Sequence, residues 1–123
     1  MLQESDLDQF TGTDKWYRLH GNFVFTDGIH FLAENAGAYW LLDAIWSWQP
    51  EIAKKKDEDL KYFQCWELKL NGKGGATLTC KADSNTPVVA KQEIEYTDFP
   101  FNIKLWVEGN DENLVVLLLP SEH

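Results

Sequence analysis

Three histidines, two cysteines and 20 carboxylates are the side chains of this 123-residue chain that could carry acid–base, nucleophilic or metal chemistry. Their spacing restricts that chemistry sharply. His20, His30 and His123 show none of the H-x-x-x-H, H-E-x-x-H or C-x-x-C patterns that gather ligands round a metal, so no metal or other cofactor is expected. Cys65 has no histidine near it in sequence to activate a thiolate, and Cys80 reads as a small core hydrophobe. Gly72, Gly74 and Gly75 fall in a hairpin with no helix behind it, so they make no phosphate cradle, and no G-x-S-x-G nucleophile elbow occurs.

Two carboxylates stand out by context. Asp43 is the one charge within Ala36 to Trp48. If that segment is buried, the carboxylate needs hydrogen-bond donors, and Tyr39 and Ser47 lie on its face of the helix; otherwise it marks the solvent-facing stripe. Asp98 sits in Tyr96-Thr97-Asp98-Phe99-Pro100, where Asp98 or Thr97 is expected to close a turn by bonding local backbone. A small enzyme or small-molecule site would require Asp43, Asp98 and a histidine such as His30 to converge. Trp46 and Trp48 are the other candidates. Two positions apart on a helix, they point to different sides, so either one stands at a dimer interface or a ligand groove or both are buried by helices on either side.

The elements that must hold these residues change period at mid-chain. Ser5 with Asp8 resembles a capping box opening a short helix, and Trp16 to Phe25 is an aromatic connector with room for a short strand. Thr26 or Asp27 caps the clearest helix, in which Ile29, Leu32, Ala33, Ala36 and Trp40 share a face. Gly37 weakens the middle, so two helices can meet near Asn35 and Gly37. From Ala36 the helix is apolar nearly all round, which implies burial on every side, by its own domain or by a second subunit. Pro50 ends it, and the charge-balanced run 54–59 reads as a solvated linker.

Alternation then marks strands at 62–70, 76–81, 88–96, 99–108 and 114–119. A five-residue loop at 71–75 sets Leu70 opposite Ala76, Leu68 opposite Leu78 and Trp66 opposite Cys80. That register sends Cys80 inward and Cys65 to the other face, which excludes a disulfide; a four-residue loop would make them neighbours. Turns are expected at 83–87 and 109–113. The apolar run 114–119 belongs to a strand that is central or covered on both faces. The expected architecture is a single α+β domain over residues 1–123, with N-terminal helices packed on a mainly antiparallel sheet of about five strands.

The net charge of −9 repels a phosphate backbone, so direct nucleic-acid binding is not expected. No stretch has the length and apolarity of a signal peptide or a membrane span, and two cysteines suit a reducing compartment, so the expected location is cytoplasmic. An acidic surface can also imitate nucleic acid towards a basic partner.

Phe10-Thr11-Gly12-Thr13 with Trp16-Tyr17, the block Ala38 to Ile45, Tyr96-Thr97-Asp98-Phe99-Pro100 and the closing Leu117 to Glu122 together resemble an uncharacterised bacterial domain family. Its members are small proteins, some associated with plasmids and phages. The resemblance spans nearly the whole chain and implies no catalytic residue, cofactor or substrate; the mobile-element association points towards host interaction. The leading expectation is therefore a non-enzymatic protein-binding or self-associating module, as a homodimer or with an unidentified partner. The alternatives are an acidic nucleic-acid mimic and a small enzyme or small-molecule binder.

Overall fold

The structure, a computed structural model, describes residues 2–83, 85–110 and 113–123. After a 3-10 turn (Glu4–Gln9) come two short strands, β1 (Trp16–His20) and β2 (Phe23–Thr26), followed by four helices, α1 (Asp27–Ala36), α2 (Tyr39–Ser47), α3 (Gln49–Lys54) and α4 (Glu58–Tyr62). Five strands complete the chain: β3 (Phe63–Leu70), β4 (Ala76–Lys81), β5 (Val88–Ile94), β6 (Ile103–Gly109) and β7 (Val115–Leu118). They form one seven-stranded sheet in the order β1-β2-β7-β6-β3-β4-β5. Every neighbouring pair is antiparallel except β2 and β7, which run parallel.

The α+β composition stands, but the arrangement of N-terminal helices on about five strands is overturned. The sheet has seven strands, and the four helices lie between β2 and β3. The aromatic connector supplies the two missing strands, whose five and four residues are too short for alternation to declare itself. The expected first helix is a 3-10 turn over Glu4–Gln9, and Asp6, not Asp8, supplies the cap by accepting the Gln3 N–H at 2.8 Å.

The long helical region breaks where glycine permits it. Gly37 takes a left-handed φ of 59°, and the Ala38 N–H returns to the Ala33 carbonyl at 2.9 Å, which ends α1. At the other end of α1, the Thr26 hydroxyl accepts the Ile29 N–H. α2 is not buried on every side. Leu41, Leu42 and Ile45 enter the core, while Tyr39, Asp43 and Trp46 face outward. The 54–59 run is likewise less of a linker than expected, since Lys54 closes α3 and Asp57 caps α4 by accepting the Asp59 N–H.

One sheet face packs against α1 and α2. Phe23, Phe25, Leu117, Val107, Leu105, Trp66, Leu68, Leu78 and Cys80 join Ile29, Leu32, Leu41, Leu42 and Ile45 in a continuous core. The opposite phase carries Trp16, Val24, Val116, Leu118, Trp106, Phe63 and Cys65, which stand outside that cluster. β7 sits third of seven, central as its apolar run implied. The β3–β4 hairpin has the expected register, with Leu70 opposite Ala76 and Trp66 opposite Cys80. The expected turns include Ser84, Asp111 and Glu112, which lie outside the described residues, as does Met1; on either side, Asp83 accepts the Asn85 N–H and Asn110 the Leu114 N–H. No helix among the described residues is long and apolar enough to cross a membrane.

Both thiols are free and lie on opposite faces of the hairpin. Burial pushes the Cys80 thiol up to about 12 and raises that of Cys65, the latter opposed by Lys104. The native protein treated with Ellman's reagent near neutral pH should therefore release thionitrobenzoate slowly from Cys65 and not at all from Cys80, with both reacting at once in denaturant. Equal rates at the two sites in the folded protein would contradict the packing of the hairpin.

Candidate functional site

The sheet end formed by the start of β3, the end of β6 and the start of β7 is roofed by α3 and α4, and the roof does not close. A groove of about 850 Å³ remains beneath it. Val107, Val115 and Gln64 line it from the strands, and Pro50, Ile52, Ala53 and Leu60 from the helices. Trp46 stands at its side with 39% of its surface exposed. Lys56, Asp57, Glu58 and Lys61 supply the charges. Lys56 takes a left-handed φ of 51° where α3 passes to α4, a conformation that costs a non-glycine residue about 1 kcal/mol or more.

The buried polar part of the lining is already satisfied. Gln49 and Gln64 exchange amide hydrogen bonds, Nε2 to Oε1, at 3.0 and 2.9 Å. The Gln64 Oε1 also accepts the buried Trp66 indole N–H at 2.9 Å, and its Nε2 donates to the Leu60 carbonyl. Gln49 donates in addition to the Ile45 carbonyl at 3.1 Å. The amides thus rivet α2, α3 and α4 to β3, and no buried side-chain N or O among the described residues lacks a partner. The surface between these side chains is largely apolar and concave, which suits binding by shape.

The structure separates the residues singled out in the sequence. Trp46 and Trp48 do point to different sides: the Trp48 indole donates to Gln92 on β5 at 2.9 Å, whereas the Trp46 ring lies 4.1 Å from that of His20 on β1. Asp43 is solvent-facing, as one of its two readings required. Its partner is His20, Nε2 to Oδ1 at 3.4 Å, while Tyr39 bonds Glu34 and Ser47 bonds the Ala44 carbonyl. His30 stacks on Tyr17 at 4.2 Å and pairs with Glu34 at 3.6 Å. Asp98 is exposed between β5 and β6, where Thr97 closes the turn by accepting the Phe99 N–H and donating its own N–H to the Gly74 carbonyl. Of these candidates only Trp46 lines the groove, with Asp43 two contacts away through His20.

Gln64 carries a signal in the sequence itself. It occupies the inward phase of β3 with Trp66 and Leu68, where a polar side chain must find partners. Gln49, Leu60, Val107 and Val115 carry no comparable local signal. Compared with known proteins, the chain matches over residues 1–123 the model of a family of unknown function, DUF6876, and it belongs to that family. The comparisons with curated proteins and with solved structures gave no match.

Proposed function

We propose that this DUF6876 member is a non-catalytic protein-binding module that takes an apolar segment of its partner into the groove beneath α3 and α4. The observation that carries the reading is Trp46, a large indole left 39% exposed at the side of an apolar groove of about 850 Å³. Covering the rest of such a ring stabilises a complex by about 2 kcal/mol, and tryptophans in such places dominate binding energies. The self-satisfied Gln49–Gln64 pair offers no free group to act on a substrate, and no histidine or cysteine lines the groove. Two unpaired thiols are compatible with a reducing, cytoplasmic setting.

The test is capture from host lysate with wild-type and Trp46→Ala baits, followed by native mass spectrometry. A defined partner held by the wild type and lost, or bound about 30-fold more weakly, by Trp46→Ala supports the groove. The variant should stay folded with a modestly lowered melting temperature, since Trp46 lies outside the core cluster but most of its ring is covered. Equal capture by both baits would move the interface elsewhere. A dimer in the spectrum makes the partner a second copy, and a retained small mass on a monomer makes the occupant a small molecule, which a groove of this size also admits.

A further inference from the structure

Each of the chain's three histidines lies between a carboxylate and an aromatic ring. His30 has Glu34 and Tyr17, and His123 contacts Glu108 and meets Trp106 edge-on at 5.3 Å. His20 has Asp43 at 3.4 Å and Trp46 at 4.1 Å, and among the histidines' aromatic partners only Trp46 lines the groove.

We infer that the charge on His20 controls how firmly Trp46 is held as a wall of the groove, so that the groove binds an apolar occupant more tightly in mildly acid than in mildly alkaline solution. The inference rests on the groove being the binding site. Histidine changes charge within the pH range where proteins work. Protonated, the imidazole pairs with Asp43 as an ion and sets a cation against the indole π-system. Neutral, it keeps the ring contact without the charge on either side. A wall ordered before the occupant arrives removes part of the ordering cost of binding.

Asp43 is the charged group that α2 brings to His20. On the strand side, β2 presents Phe23, Val24, Phe25 and Thr26, and the turn between the strands holds Gly21 and Asn22. Arg18 pairs with Val24 in the opposite phase of the sheet, away from the core face that carries Phe23 and Phe25. Lys56, Asp57, Glu58 and Lys61 share the groove with Trp46.

N-phenyl-1-naphthylamine, an uncharged apolar fluorophore, provides the probe, because its own charge does not respond to the protein's. Titrated into the full chain, it should bind about two- to five-fold more tightly near pH 5.5 than near pH 8. His20→Gln should bring that ratio close to one and Asp43→Asn should reduce it, while His30→Gln keeps it. Melting curves at both pH values confirm that the variants are folded, and Asp43→Asn serves if His20→Gln is not. Probe binding that ignores Trp46→Ala at both pH values overturns the groove itself. Binding that Trp46→Ala weakens but whose pH ratio survives in both His20→Gln and Asp43→Asn overturns the role of His20 and leaves the groove standing.

Discussion

Replacing Glu122 with alanine should lower the unfolding free energy by about 3 kcal/mol, read from urea denaturation at neutral pH. The residue is 8% exposed, and its carboxylate is built into the start of the first long helix. Its Oε1 accepts the Thr26 hydroxyl at 2.6 Å and the Leu119 N–H at 2.9 Å, and its Oε2 accepts the Gly28 N–H at 3.0 Å. Gly28 lies in the first turn of α1, where backbone N–H groups have no partner within the helix and the helix dipole favours negative charge. A carboxylate near the end of the chain thus caps a helix 94 residues earlier. Hydrogen bonds to a charged acceptor contribute about 1.5–3 kcal/mol each, less when they share one group, and removing the acceptor leaves buried donors unpaired.

Gly28 provides the independent check. A Cβ there would stand 2.6 Å from both the Glu122 Oε1 and the Leu119 Cδ1. Gly28→Ala should therefore destabilise by about 2 kcal/mol, although alanine in a helix ordinarily gains about 1 kcal/mol over glycine. Its cost should shrink in the Glu122→Ala background, where one of the two obstructions is gone. A Glu122→Ala loss below about 1 kcal/mol would mean that desolvation of the carboxylate offsets its bonds.

Gln64→Ala should cost about 3 kcal/mol as well, by another route. Gln64 is 5% exposed, and its amide oxygen accepts from the indole of Trp66, itself 1% exposed. Truncation strands that N–H in the core, strips Gln49 of its reciprocal partner and leaves a cavity, and each unsatisfied buried group costs about 1–3 kcal/mol. The mechanism predicts a rescue. In a Trp66→Phe background the stranded donor no longer exists, so the further cost of Gln64→Ala should fall by about 1 kcal/mol. Strict additivity of the two substitutions would show that the indole bond contributes nothing. Because α3 and α4 hang on the Gln49–Gln64 pair, the variant should also lose probe binding in the groove.

Glu122 does not announce its importance locally, and Gln64 does so only in part. Glu122 is one of 20 acidic side chains, in a Leu-Pro-Ser-Glu stretch of no special pattern. Its value comes from β7 running beside β2, a parallel pairing of Phe23 with Val115 that delivers the end of the chain to the start of α1. Gln64 is more legible, since a polar residue in the apolar phase of a strand implies a partner. The identity of that partner depends on how α3 folds back over β3. Trp46 and Trp48 were correctly expected to diverge, because helical geometry alone dictates it. Which ring would be covered depends on β5, whose Gln92 receives Trp48, and on the open end of the sheet beside Trp46.

What the chain's own residues determined is what repeats over short distances. Alternation and a five-residue loop set the β3–β4 register, and with it the separation of Cys65 from Cys80. Gly37 divided α1 from α2, Thr26 capped α1, and the apolar run 114–119 marked a central strand. Tertiary structure alone decided that the aromatic connector becomes two strands, that seven strands share one sheet, and that a groove opens between α3, α4 and the sheet end. The physical reason is the same in each case. Periodicity reports which face of an element is apolar, but the partner that covers that face, or leaves it open, is set by the path of the whole chain.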